Sequence, residues 1–233
     1  GGTSGTWSLG APHRYANNLS IAAPQPTLAL LEHNKHIWAF GENTVVKMDK
    51  RGQLERFNLP AVPKSVALWQ ERFWIATSSG IWVLDPNNGI FQVSHPGIVM
   101  EQLIPSPSGL WGFDSRGIFY GIGPKFPKPI VETGHVLHLS PSGESICIGT
   151  ESGLERYWMT RSDKLEDVLG DGDTGIAVVA VAGDNSGGCW FAGEDGTIGW
   201  VGPSGAATKT ELPGLKTPTV IKIIPITDKQ AWV

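Results

Sequence analysis

Short apolar runs separated by small polar turns recur along the chain, and the stretch Glu71 to Asp85, ERFWIATSSGIWVLD, shows the unit most plainly. Phe73, Trp74 and Ile75 run into the turn Thr77-Ser78-Ser79-Gly80, and a second β-rich run, Ile81 to Leu84, follows. Two such runs around a tight turn predict a β-hairpin. Glycine is expected at position 80 because the turn needs positive φ, which a residue with a Cβ adopts only at a steric cost.

The same frame recurs at Trp38, Trp74, Trp111, Cys147, Trp190 and Trp232, with intervals of 36, 37, 36, 43 and 42 residues. Six residues after the first five anchors stand Thr44, Gly80, Gly117, Gly153 and Gly196. Counting on from Val233 to Gly1, the residue six after Trp232 is Gly5, and the interval from Trp232 to Trp38 is 39. A repeat of about 40 residues carrying four short strands predicts a β-propeller. The expectation is therefore an all-β, single-domain chain over 1–233: a six-bladed β-propeller of four-stranded antiparallel blades.

Five blades are expected over 27–60, 64–98, 99–134, 135–170 and 176–213. The sixth joins 218–233 to the N-terminus, with Thr6 to Leu9 and Tyr15 to Ile21 as its outer strands. Pairing N- and C-terminal strands in one blade leaves no free seam. The anchor tryptophans are expected to wedge between neighbouring blades, since aromatic side chains of this size dominate such packing. IAVVAVA, from Ile176, reads as an inner strand covered on both sides. The segment Ser162 to Gly170 fits either a helical turn, with Leu165 and Val168 three apart, or a short strand.

Composition narrows the function classes. The chain has 233 residues, 40% of them hydrophobic, which suits one all-β domain. Its 30 glycines and 17 prolines argue against a helical protein and for many tight turns. Net charge is −4 and the 18 Lys and Arg are scattered, so no basic stripe points to nucleic acid. No apolar run approaches the roughly 20 residues of a membrane span. Gly1 reads as the start of a mature or excised segment, with no initiator Met or signal peptide before it. Cys147 and Cys189 fall on the second strands of neighbouring repeats. At a sheet-packing distance of about 10 Å they are too far apart to bridge, so two buried free thiols are expected. They are too few for a cysteine metal site.

The turns after the second strand should share one face, around the mouth of the channel. They carry Glu42 and Asn43, Ser78 and Ser79, Ser115 and Arg116, Glu151 and Ser152, Glu194 and Asp195, and Thr3 and Ser4. With Asp114 they make that face polar and mildly acidic, a surface for a protein partner or small ligand. The expected ligand-binding set is Glu42, Asp114, Arg116, His135, Glu151, Glu194 and Asp195, with no catalytic residue, metal or cofactor. His135 and His138 cannot both bind one metal as an i, i+3 pair on a strand, because side chains alternate with period 2. Glu101 and Lys222 are candidates for the channel wall, as a mutual ion pair or in contact with water. Trp7, Trp82 and Phe119, eight residues after their anchors, either pack between outer strands or form an apolar rim patch.

No G-x-S-x-G elbow, phosphate-cradling glycine loop or zinc helix is present. The carboxylate pairs Glu194-Asp195 and Asp171/Asp173 would serve glycosidase chemistry only at a defined separation across a cleft, which spacing on two loops does not show. The reading is a non-catalytic recognition module. The alternative is a propeller enzyme, a lyase, lactonase or glycan-active protein, with a channel-mouth site.

ICIGTESGLERYW, from Ile146, and WIATSSGIWVLDP, from Trp74, resemble the two-component regulator propeller repeat, whose pattern is L-W-I-G-T-x-x-G-L-x-R-Y-D. Two repeats match well and the others weakly. The resemblance implies a sensor or protein-interaction propeller within a larger, membrane-associated assembly, and an extracytoplasmic location, periplasmic or extracellular.

Overall fold

The computed structural model describes Pro24 and residues 26–106, 109–122, 128–129, 135–159, 164–169, 176–184, 186–211, 223–227 and 230–232. The chain divides into two compact units, Gly1–Leu103 and Ile104–Val233. In the first, β1 (Thr27–His33), β2 (His36–Gly41), β3 (Thr44–Met48) and β4 (Leu54–Asn58) form one antiparallel sheet in chain order. The second sheet repeats the pattern with β5 (Pro63–Trp69), β6 (Arg72–Thr77), β7 (Gly80–Leu84) and β8 (Phe91–Pro96).

A third sheet contains β9 (Met100–Ser106), β10 (Gly109–Asp114), β11 (Phe119–Ile122) and β12 (Lys128–Pro129); its first strand begins before the boundary between the units. The second unit continues with β13 (Val136–Ser142), β14 (Ser145–Thr150), β15 (Gly153–Trp158) and β16 (Lys164–Asp167). Next come β17 (Val178–Gly183), β18 (Cys189–Gly193), β19 (Thr197–Val201) and β20 (Ala207–Glu211), then a two-stranded sheet of β21 (Ile224–Thr227) and β22 (Gln230–Trp232). The segment around Leu165 is thus a strand. The strands expected at Thr6 to Leu9 and Tyr15 to Ile21 lie outside the described residues, as do Thr3, Ser4, Trp7, Asp171, Asp173 and Lys222.

Turn chemistry sets the hairpins. The first hairpins of the first two sheets close through Asn34-Lys35 and Gln70-Glu71, all at positive φ between 49 and 64°. Such turns match the right-handed twist of the flanking strands. In the second hairpins, Thr77 Oγ1 accepts the Ser79 N–H and donates to the Gly80 carbonyl, and Thr150 does the same with Ser152 and Gly153. Gly80 has φ 138°, and a Cβ there would sit 2.5 Å from the His95 carbonyl oxygen.

Each buried cluster joins consecutive sheets. Trp38, Phe40 and Val45 meet Phe73, Ile75 and Leu84 in the first unit. In the second, Ile104 and Phe113 meet Val136, Leu139, Ile146, Ile148 and Tyr157, and Cys147 and Leu154 meet Val178, Val181, Phe191 and Val201. Ile223 and Ala231 close on Ala180, Ala192 and Ile198. Two described anchors wedge as expected. Trp38 is buried with its ring 4.8 Å from Phe73, and Trp111 lies 5.6 Å from Tyr157. Trp82 is partly buried against the first unit's cluster.

Two expectations are corrected. A bulge at the start of β1, β5, β13 and β17 shifts the register by one residue, and Val179 is 36% exposed. The inner strand of IAVVAVA is therefore not covered on both sides throughout, because a bulge turns one side chain out of the alternation.

Cys147 and Cys189 are also not free thiols: they form a disulfide with Cα atoms 5.8 Å apart. The 10 Å spacing holds where both facing sheets carry side chains, and glycines remove them here. A Cβ at Gly149 would sit 2.5 Å from the Val178 carbonyl oxygen, and one at Gly183 would overlap the Pro141 carbonyl. With those side chains missing, the two backbones approach closely enough to be bridged.

Candidate functional site

In the second unit, the hairpin turns after the second strands are stitched to segments that lead into a first strand, that of the following sheet for Gly117 and that of their own sheets for Glu151 and Glu194. The Gly117 carbonyl accepts the Val136 N–H at 3.0 Å, the Glu151 N–H donates to the His135 carbonyl at 3.0 Å, and the Glu194 N–H donates to the Ala177 carbonyl at 2.9 Å. Gly117 must be glycine: its φ is 72°, and a Cβ would lie 2.7 Å from His135 Cγ. The β10–β11 turn therefore rests directly on His135, which in turn meets the β14–β15 turn.

Four of the expected ligand-binding residues are gathered here. Asp114, at the end of β10, is buried and organises its own turn. Oδ1 accepts the Arg116 and Ile118 N–H groups, and Oδ2 accepts Arg116 Nε at 2.9 Å, Arg116 Nη2 at 2.7 Å and Tyr120 Oη at 3.1 Å. Arg116 Nη2 also donates to Tyr120 Oη at 2.9 Å. The side chain of Arg116 is 70% exposed and that of Asp114 only 11%. The guanidinium is thus pinned from beneath by a carboxylate and a phenol while it faces solvent. His135 Nδ1 lies 3.6 Å from Glu151 Oε1, with both side chains exposed.

The electrostatics follow from this geometry. Burial raises the Asp114 pKa, but hydrogen bonds from the Arg116 side chain, the two backbone N–H groups and Tyr120 outweigh it and hold the carboxyl below its ordinary value. Burial and the bond to Asp114 push the Tyr120 phenol up. The bond to Asp114 raises Arg116. The trio is therefore a carboxylate, a neutral phenol and a cation at neutral pH.

The remaining expected residues stand apart. Glu194 and Asp195 occupy the exposed β18–β19 turn of the same unit, where Asp195 accepts the Thr197 N–H and hydroxyl, bonds that lower its pKa. Glu42 is exposed in the β2–β3 turn of the first unit. His138 accepts the Val181 N–H through Nδ1 at 3.4 Å, which ties β13 to β17. Glu101 pairs with Lys64. Among the described residues, no three His, Cys, Asp or Glu side chains converge as a metal site, and no helix is long and apolar enough to cross a membrane.

Sequence reasoning passed over two residues. Tyr120 completes the Arg116 cluster by reaching back to Asp114 and Arg116 from β11. Asp184 is buried between β17 and β18, where it accepts bonds from the Ser186 N–H and hydroxyl, the Gly188 N–H and the Trp200 indole. Those four donors identify it as a structural carboxylate.

No protein-family model matches the chain, and no curated protein does. Solved structures do. The extracellular domain assigned to a two-component system of B. thetaiotaomicron aligns with TM-score 0.66 at 12% identity, over 85% of this chain and 30% of its own. The Neurospora crassa Pan2 WD40 domain aligns with TM-score 0.65 at 11% identity, over 88% of this chain and 70% of its own. YCF48 bound to D1 peptide aligns with TM-score 0.61 at 16% identity, over 89% of this chain and 75% of its own. The chain thus spans under a third of the length of that B. thetaiotaomicron extracellular domain. At such identities the likeness is one of fold, and it agrees with the repeated four-stranded antiparallel sheets in assigning the chain to the β-propellers.

Proposed function

We propose that this chain is a non-catalytic recognition module, a sensor or protein-interaction propeller that binds its ligand or partner on the face made by the turns after the second strands. The observation that carries this reading is Arg116, exposed to solvent yet held by buried Asp114 and by Tyr120, beside His135 and Glu151. A charged group fixed in one orientation loses little freedom when it binds, which favours recognition.

The six sheets fit six blades, with Ile224–Thr227 and Gln230–Trp232 as the first two strands of the last. We infer that residues 1–23 supply its outer pair and close the ring. The Cys147–Cys189 bridge supports an extracytoplasmic location, because disulfides persist in oxidising compartments. The extracellular neighbour from B. thetaiotaomicron and the peptide-bound YCF48 are in keeping with this proposal.

Selection from a random peptide library on immobilised protein tests it. The wild type is expected to enrich a shared sequence, and a variant with Arg116, His135 and Glu151 all changed to Ala is expected to lose it while keeping its circular dichroism spectrum. No enrichment, or enrichment that survives the triple change, contradicts the proposal.

A further inference from the structure

We propose that the Arg116 turn captures a single carboxylate on its ligand, an inference that rests on the recognition reading and names its chemistry. Nε and Nη2 of Arg116 are occupied by Asp114 and Tyr120, and Nη1 has no partner among the described residues. Nη1 therefore carries the two N–H donors left to meet a ligand. Because Asp114 lies beneath and the Arg116 side chain is 70% exposed, an approaching group meets the cation before the carboxylate that neutralises it. Preorganisation matters here, since a guanidinium already fixed in one orientation gives up less entropy per bond than a free lysine.

The surroundings limit the anion to one charge. Glu151 is exposed on the adjoining turn, Glu194 and Asp195 are exposed on the next, and the chain carries a net charge of −4. A nucleic acid or other polyanion would place further charges against these carboxylates. A lone carboxylate avoids them, and His135, whose ring lies over Gly117, stands on the same side to contribute a second donor. Such a carboxylate is carried by an acidic residue of a peptide and by a uronic acid of a glycan.

Titration followed by the Arg116 guanidinium NMR signals tests this, with acetyl-Gly-Glu-Gly-amide and its Gln counterpart as one pair of probes and galacturonate and galactose as the other. At least one acid is expected to shift the Arg116 signals saturably and to bind about tenfold more tightly than its neutral counterpart, the worth of one charge-assisted hydrogen bond. Whichever acid does so identifies the source. Arg116→Gln is expected to abolish the preference. Glu151→Gln, which leaves the Asp114 pair untouched, is expected to strengthen binding and so guards against a merely misfolded Arg116 variant. Equal binding of acid and neutral probes, or a preference that survives Arg116→Gln in a folded protein, overturns the inference. Neutral peptides enriched through the same turns would overturn it too, yet leave the recognition reading standing.

Discussion

Asp114 and Asp184 do similar work at different places in the second unit: each is a buried carboxylate that gathers N–H and O–H donors from a turn. For both, burial raises the pKa and the hydrogen bonds more than reverse it. A folded-state pKa below the unfolded one means stability that is present above the unfolded pKa and lost as pH falls through the folded one. Melting temperature is therefore expected to drop as pH falls below about 4, the ordinary Asp value. Asp114→Asn and Asp184→Asn should each cost about 1–3 kcal/mol at neutral pH and flatten that acid limb. An unchanged acid limb in both variants would refute this account of the turns. Asp114 and Arg116 could be found from the sequence because the glycine register marks the turn. Tyr120 could not, because its role depends on a side chain reaching back beneath the turn from the next strand.

Between elements, one register rule recurs. Trp38 meets Phe73, the residue before the next anchor, and Cys147 is bridged to Cys189, again the residue before the next anchor. The disulfide occupies the place of an aromatic wedge. The anchor positions, hairpins and four-strand repeat were legible in the sequence because strand period and turn glycines are local signals. Sheet-to-sheet distance was not, because it depends on Gly149 and Gly183 lying opposite carbonyls distant in sequence. With the cysteines 42 positions apart in sequence, replacing both by Ser should cost about 3–4 kcal/mol if loop-closure entropy dominates. Thiol titration of the denatured, unreduced protein should find no free thiol. Two free thiols per chain would show that the bridge does not form.

At the scale of the whole molecule, the inferred role of the N-terminus in closing the ring is testable. Deleting residues 1–17 should lower the melting temperature far more than loss of a loose tail, because under the proposed closure it removes the strand that would pair with Gln230–Trp232. A truncated protein that melts with the full chain would refute closure. The most direct test of the central claim is hydrogen exchange with and without a saturating peptide taken from the selection on the wild-type protein. Slowed exchange is predicted at 114–118, 135–136 and 150–153. Protection confined to the outer strands Leu54–Asn58 and Phe91–Pro96, with those turns unchanged, would contradict it.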